Sequence, residues 1–529
     1  MVGVVAKDFG QKETPGPNTG GIPRKHNEEH LRSDPSIAPG EQAAPLTEVQ
    51  KQWRVAHQAH QLGKQQSAPT VDEQAEIEAQ EYASSIEWNH EGEQHRGQIR
   101  MAYRVAELYR GELKFVLGLG WLVWDGQRWA LDEKDAAINA VIATLRLSLA
   151  ESFGDDKLRR DVAKCESAHG IEGVLKIASA LPALRAGVHE LDADPYLLNC
   201  ANGTLDLRTR QLRAHDPADN ITRVCRGAYD PEADQTAWAT FLGTSLPDDD
   251  ERDYLQRVIG QGVFGGVREH LFPVLTGDGA NGKGTAYGAI KFALGDYATV
   301  IDPELLMVKQ RGAGGPEMMQ LLGARLVIGS ETEEGKWLDS SLMKRLTGGD
   351  ELTARHLYQA PVTWRPSHQI IYVTNHLPKV KGNDPAVWRR IRVVPFDVVI
   401  PEGQRDPKLP ERLELAADAI LTWSVQGWFD YEDRGGMFEP ETVRNATDSY
   451  QTDSDAVKRF LSTHCHIGPS FKCRSAELFE AWEKWARDDG ADPLNKNSFA
   501  KELERLGYVS KRSSAGMVWQ QIGLPASEF

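Results

Sequence analysis

Gly277-Asp278-Gly279-Ala280-Asn281-Gly282-Lys283-Gly284-Thr285 combines the residue types and spacing of a phosphate cradle. Glycines let successive backbone N–H groups converge on an anion, and the lysine supplies a point charge between β and γ oxygens. The apolar run Leu271-Phe272-Pro273-Val274-Leu275 leads into the loop, and a helix from Thr285 would aim its positive dipole end at the same phosphates. The pattern G-x-x-x-x-G-K is complete, so ATP or GTP binding is the first expectation. One position departs. Gly284 stands where a Ser or Thr usually reaches Mg²⁺, and the hydroxyl comes one residue later at Thr285, which puts metal contact through it in doubt. Nucleotide kinases also carry Gly-Lys-Gly-Thr, so the loop alone does not separate a motor from a kinase.

Downstream, three apolar runs each lie beside polar residues of the kind phosphoryl transfer to water uses. Leu326-Val327-Ile328-Gly329 runs into Ser330-Glu331-Thr332-Glu333-Glu334, and Ile370-Ile371-Tyr372-Val373 into Thr374-Asn375. Arg389-Arg390 precede Ile391-Arg392-Val393-Val394. In an open α/β sheet ligands sit beyond the carboxyl ends of the strands, so these residues can flank a γ-phosphate. Glu331 or Glu333 is the candidate carboxylate for metal and water, Asn375 the γ-phosphate sensor, and Arg389 or Arg390 a cation from outside. Taken singly, each reads more readily as a solvated surface group; their order and compact spacing after a phosphate loop favour function.

The remaining elements frame that site. A chain of 529 residues suggests several domains, and its apolar and charged fractions are ordinary for globular proteins. Five scattered cysteines argue for a reducing compartment, and His464-Cys465-His466 with Cys473 lacks the second pair a zinc finger needs. The first residues lack the pattern of a signal peptide and no long apolar run occurs, so a soluble cytoplasmic protein without membrane contact is expected. Residues 1–97, rich in Gln, His, Glu, Gly and Pro, read as a disordered arm. An α+β module is expected over 98–235, with a hairpin at Trp121 to Trp129 turned by Asp125-Gly126, helical patterns from Ile138 to Leu149 and from Val174 to Leu184, and a strand pair around Asn202-Gly203. A P-loop ATPase core follows at 236–435, a linker at 436–455 and a last domain at 456–529. Pro273 inside the first core strand calls for a shifted strand or a bulge.

Taken together, Arg325 to Lys336, Lys344-Arg345-Leu346-Thr347-Gly348-Gly349-Asp350, Thr353-Ala354-Arg355, Thr374-Asn375-His376 and Trp388-Arg389-Arg390 resemble the phage and plasmid primase-helicase family. That family is related to the poxvirus replication NTPase, and its motor is a superfamily 3 helicase. The likeness extends upstream to the Trp121 hairpin and on to the C-terminal end. It implies an AAA+-like core, hexameric rings with ATP and Mg²⁺ between subunits, an arginine finger at Arg389 or Arg390, and replication in a phage, prophage or plasmid host cell, alongside a separate primase or polymerase. Priming by this chain alone is not expected, because 1–97 offers no folded domain for metal-binding carboxylates. The competing readings are an origin-binding factor with a degenerate ATPase and, on Gly284-Thr285, a nucleotide kinase.

Nucleic acid would meet local basic clusters, since the whole chain carries a charge of -16. From Lys336 to Arg392 ten basic residues stand against four acidic ones. Leu352 to Tyr358 and Val362 to Arg365 are expected to pair as a hairpin, which in the resembling helicases grips single-stranded DNA in the ring channel. Arg355, His356 and Tyr358 are its candidate contacts, with Lys379 and Lys381 on a second loop. At the C-terminus a helix capped by Ser475, a helix over Ser498 to Leu506, and a hairpin from Tyr508 to Trp519 follow winged-helix order. Lys496, Lys501, Arg505, Lys511 and Arg512 are its candidate DNA contacts, while Trp482 and Trp485 read as core.

Overall fold

The computed structural model describes residues 88, 90–308, 316–330, 335–355, 360–380, 384–491, 494–514 and 516–525. They form a multidomain α/β structure, and no helix among them is long and apolar enough to cross a membrane.

Toward the N-terminus, helices Gln98–Leu108, Ala136–Glu151, Asp156–Cys165 and Ala168–Ala178 enclose a core of Met101, Val105, Val141, Val162 and Val174. The Asp125-Gly126 turn closes the expected hairpin: Trp124 faces Trp129, and the Asp125 carboxylate accepts the Gln127 and Arg128 amides. The helix expected from Val174 to Leu184 instead spans Ala168–Ala178, because Ser167 caps it by accepting the Gly170 amide. Strands Leu197–Cys200, Gly203–Asp206 and Gln211–Arg213 form a separate sheet, whose Leu198, Cys200 and Leu205 bury with Leu255 and Ile290 of the central region. The stretch expected as one module before the motor is thus divided between two cores.

The central region contains α1 (Asp249–Gln261), β1 (Phe272–Thr276), α2 (Lys283–Leu294), β2 (Ala298–Ile301), β3 (Leu326–Ser330), β4 (Gln369–Thr374), β5 (Ile391–Pro395), α3 (Ala417–Arg434) and α4 (Glu441–Ser454). All five strands are parallel, in the order β5-β1-β4-β3-β2. Both faces are covered, as parallel sheets require: Leu275, Ile328, Ile371 and Val394 face one core, and Val274, Val327, Tyr372 and Val393 the other. Pro273 needs no bulge. It sits in regular register opposite Arg392, while pairing with β4 begins only at Val274. Because Phe272 donates toward β5, the missing donor of Pro273 faces the side where β4 has not yet joined.

Helices α1 and α3 cross closely, since a Cβ on Gly427 would lie 2.0 Å from the Gln256 carbonyl oxygen. The Arg257–Asp430 ion pair, 2.7 Å, secures that crossing. The region 436–455, expected as a linker, instead holds α4, whose Thr447 hydroxyl accepts the Val393 amide of β5. The expected hairpin is present as Leu352–Ala354 paired with Val362–Trp364. Against its return strand lies the turn Leu117 to Leu119, which joins strands Leu113–Val116 and Gly120–Trp124 of the N-terminal sheet; a Cβ on Gly118 would come 2.7 Å from Val362 Cγ2 and 3.3 Å from the Ala360 oxygen.

The last segment runs α5 (Ala456–His464), β6 (His466–Arg474), α6 (Ser475–Asp489), α7 (Lys496–Arg505), β7 (Ser510–Ser513) and β8 (Gly516–Gly523), with sheet order β6-β8-β7. Phe460, Trp482, Phe499 and Trp519 fill its core, and Trp485 is buried with them as expected. Ser475 is the first helical residue and makes no cap bond; Arg474 holds the cap position. Asn495 caps α7, which therefore starts ahead of Ser498. Helix α5 and strand β6 had no counterpart in the sequence reading.

Candidate active site

The loop 277–282 joins the carboxyl end of β1 to the amino end of α2. Gly277, Gly279, Ala280 and Gly282 all have positive φ, a backbone conformation used by loops whose amides converge on an anion. Ala280, at φ 50, adopts it without a glycine's freedom and is held by its carbonyl, which accepts the Ile400 amide at 2.9 Å. The Asn281 side chain donates to the Phe396 carbonyl at 2.8 Å. Lys283, 5 % exposed, donates to the Gly277 carbonyl at 2.7 Å and to Asn281 Oδ1 at 3.1 Å. A buried ammonium beside a glycine-rich turn at the carboxyl end of a parallel strand is a site that fits polyphosphate oxygens. Gly284 is exposed, with open space around its missing Cβ, and Thr285 is half-buried in the first turn of α2. A serine at 284 would fit, so crowding does not explain the glycine.

Register fixes what else reaches this edge. Thr276 lies opposite Thr374 of β4 on one side and Pro395 of β5 on the other, so Asn375 emerges level with Gly277. The Thr374 hydroxyl donates to the His376 carbonyl and accepts the His376 amide, a turn that fixes the backbone around Asn375, which is exposed. Ser330 ends β3 opposite Val373 of the same β4; Glu331 and Glu333, which follow it in the sequence, lie outside the described residues.

The two arginines separate. Arg390 is buried, donating to the Thr347 hydroxyl at 3.1 Å and the Ala386 carbonyl at 2.6 Å. Burial, then the neighbouring Arg389 charge, holds its guanidinium below the usual range. Arg389 is exposed. Both precede β5, so they stand at the amino edge of the sheet, about 17 Å of strand from the loop of their own chain.

Of the nucleic-acid candidates, Arg355 is exposed where the hairpin strand ends, while His356, Tyr358 and Lys381 lie outside the described residues. Lys379 is exposed and stands 5.8 Å over the Trp337 ring. Lys496, Lys501, Lys511 and Arg512 are exposed, but Arg505 is not free for DNA: it pairs with Asp455 and Glu502 at 2.7 and 2.6 Å. No metal-binding group of three His, Cys, Asp or Glu gathers among the described residues, and burial pushes the Cys465 thiol up to about 12.

Sequence reasoning missed Ser245. It ends the helix Thr236–Ser245, and its buried hydroxyl, without a hydrogen-bond partner, lies 2.3 Å from where a Cβ of Gly282 would stand. It also missed Phe396 as the back wall of the loop; no local pattern marks either residue.

Residues 102–247 match the family described as "D5 N terminal like". The chain is 27 % identical over 349 residues to a protein of Acanthamoeba polyphaga mimivirus provisionally named helicase L207/L206, covering 61 % of this chain and 36 % of that one. It is 25 % identical over 344 residues to a protein of African swine fever virus, strain Badajoz 1971 Vero-adapted, provisionally named primase C962R, covering 59 % and 35 %. Over 405 residues it is 26 % identical to the provisionally named helicase 121R of Invertebrate iridescent virus 3, covering 69 % and 43 %. The chain spans about a third of the length of the first two of these relatives. Among solved structures, the apo A form of the NrS-1 C-terminal region aligns over 56 % of this chain and 78 % of that one at 11 % identity, with a TM-score of 0.36 that carries no argument. The family match and the viral relatives bear out the resemblance to phage and viral primase-helicases.

Proposed function

We propose that this chain is the ATP-driven motor of a DNA-replication helicase, working as a ring of identical subunits on single-stranded DNA at forked junctions. The observation that carries the reading is Lys283, buried behind a loop with four positive-φ residues at the carboxyl edge of a parallel sheet, level with the exit of the Asn375 strand. The names of the viral relatives support it. Lys283 and the loop amides would bind the β and γ phosphates, and Asn375 would sense the γ group. A carboxylate of the Glu331 to Glu334 run would take the proton from a water that attacks the γ-phosphorus, breaking its bond to the bridging oxygen and leaving ADP and phosphate. Magnesium, for which Thr285 and Glu331 are the proposed ligands, would neutralise phosphate charge. Arg389, rather than the internally bonded Arg390, is the proposed finger, acting on a neighbour's site. The hairpin at Arg355 and the loop at Lys379 would grip the strand, and the C-terminal helices with Lys511 and Arg512 would form a winged-helix contact to duplex.

The deciding experiment is unwinding of a forked duplex by the wild type and by Lys283→Ala. Loss of unwinding and of hydrolysis together supports the reading; equal unwinding by both removes it.

A further inference from the structure

The ten-residue helix Asp156–Cys165 turns Leu158, Asp161, Val162 and Cys165 into the N-terminal core. Its outer surface exposes Lys157, Arg159, Arg160 and Lys164. Lys157, Arg160 and Lys164 fall at i, i+3 and i+7, which places them on one strip about 10 Å long. The chain holds 77 acidic residues against 61 basic ones, yet none of these three cations has an ion-pair partner among the described residues; Arg160 bonds only the Asp156 carbonyl. Asp155 accepts the Lys157 and Leu158 amides, and its charge also attracts Lys157 and Arg100 without forming a salt bridge to Lys157, while Asp156 and Glu166 flank the strip at its ends.

A second observation is independent of charge. Phe153, directly before this helix, is 80 % exposed. Its turn is held by hydrogen bonds, Ser152 Oγ to the Leu149 carbonyl and the Asp155 amide to the Ser152 carbonyl, so the ring is presented from a fixed backbone. A large apolar ring kept in water three residues ahead of a helix whose outer face carries cations without salt bridges among the described residues has the composition of a contact surface. Cations along a strip suit a sugar-phosphate backbone, and a single aromatic face suits one unstacked base, which a duplex does not offer.

We infer that this helix and Phe153 form a further contact for single-stranded DNA, outside the motor and outside the C-terminal segment. The inference rests on the reading of the chain as a DNA motor. It adds that the N-terminal module holds the strand directly, through Lys157, Arg160 and Lys164 on phosphates and Phe153 on a base.

The test is fluorescence anisotropy of the full chain with labelled oligo-dT across a salt series. For Lys157→Ala/Arg160→Ala/Lys164→Ala together, the slope of log affinity against log salt becomes shallower by about 2, at about 0.7 per phosphate contact on a single strand. Phe153→Ala weakens binding about tenfold at every salt concentration without changing the slope, and Phe153→Trp restores it. Hydrolysis without DNA stays at the wild-type rate in all three. Wild-type slope and affinity in the triple variant and in Phe153→Ala overturn the inference while leaving the motor reading in place. A triple variant that binds DNA normally but sediments as a smaller assembly also overturns it, because the face then belongs to a subunit contact. Failure of the motor reading has a different signature: wild-type hydrolysis that DNA does not stimulate and Lys283→Ala does not abolish.

Discussion

Mixing two inactive variants separates an arginine that acts on its own site from one that acts on a neighbour's. Arg389 is exposed and stands before β5, about 17 Å of strand from the loop that follows β1, so it could not serve phosphates bound at its own Lys283. Arg389→Ala is expected to lower hydrolysis by about 10³-fold, the low end for a finger that stabilises transition-state charge. Lys283→Ala is expected to lower it at least as far. Each variant nevertheless retains the half of the site that the other lacks. When the two are co-assembled in equal amounts, about a quarter of the subunit joints pair an intact loop with an intact Arg389, so hydrolysis recovers to about a quarter of the wild-type rate. The assay is steady-state phosphate release from chains unfolded and refolded together, compared with each variant refolded alone. No recovery in the mixture, or wild-type turnover by Arg389→Ala, would refute the argument from strand length. Arg390→Ala serves as the contrast. It leaves the Thr347 hydroxyl and the Ala386 carbonyl without their cation, and it should lower the melting temperature as well as the rate.

Gly277→Ala would place a Cβ 2.2 Å from Asn281 Nδ2 and 2.3 Å from the Phe396 carbonyl oxygen, where the backbone cannot yield; calorimetric titration should show ATP affinity reduced at least about tenfold. Gly284→Ser meets open space and should bind within about threefold of wild type, so equal losses in the two variants would contradict the loop geometry. His368 is buried at the entrance to β4, and burial lowers its pKa from 6.5 to about 4. As pH falls below 6.5 the unfolded chain takes up this proton before the folded one does, so stability drops by about 1.4 kcal/mol per unit until pH 4. His368→Leu should therefore remove about 2 kcal/mol of the loss between pH 7 and pH 5 in urea titrations, and an unchanged pH dependence would show that His368 is not the group responsible.

The sequence exposed those parts of the site whose chemistry is local. A glycine-rich loop announces its own backbone conformation, and Asp125-Gly126 announces its own turn, because only neighbouring residues decide either. Pro273 could not be resolved in the same way, since its tolerance depends on where β4 joins β1, which is a matter of register between residues a hundred positions apart. The difference between Arg389 and Arg390 was equally hidden: it comes from Thr347 and Ala386, two partners that no spacing rule connects to an Arg-Arg pair. Ser245 reaches the loop only through tertiary packing of the preceding helix. At the C-terminus, β6 reads poorly as a strand because most of it is exposed, and only its pairing with β8 establishes it.

Gly118 and the hairpin it touches carry a mechanical consequence. With the turn Leu117 to Leu119 seated against Val362 and Ala360, the hairpin has no free stroke: if it swings when phosphate leaves, it must drag the N-terminal sheet along or break that seat. If the proposed motor reading holds, any stroke of this hairpin would be loaded from behind, with the N-terminal region as ballast that limits how far one hydrolysis event could push the strand.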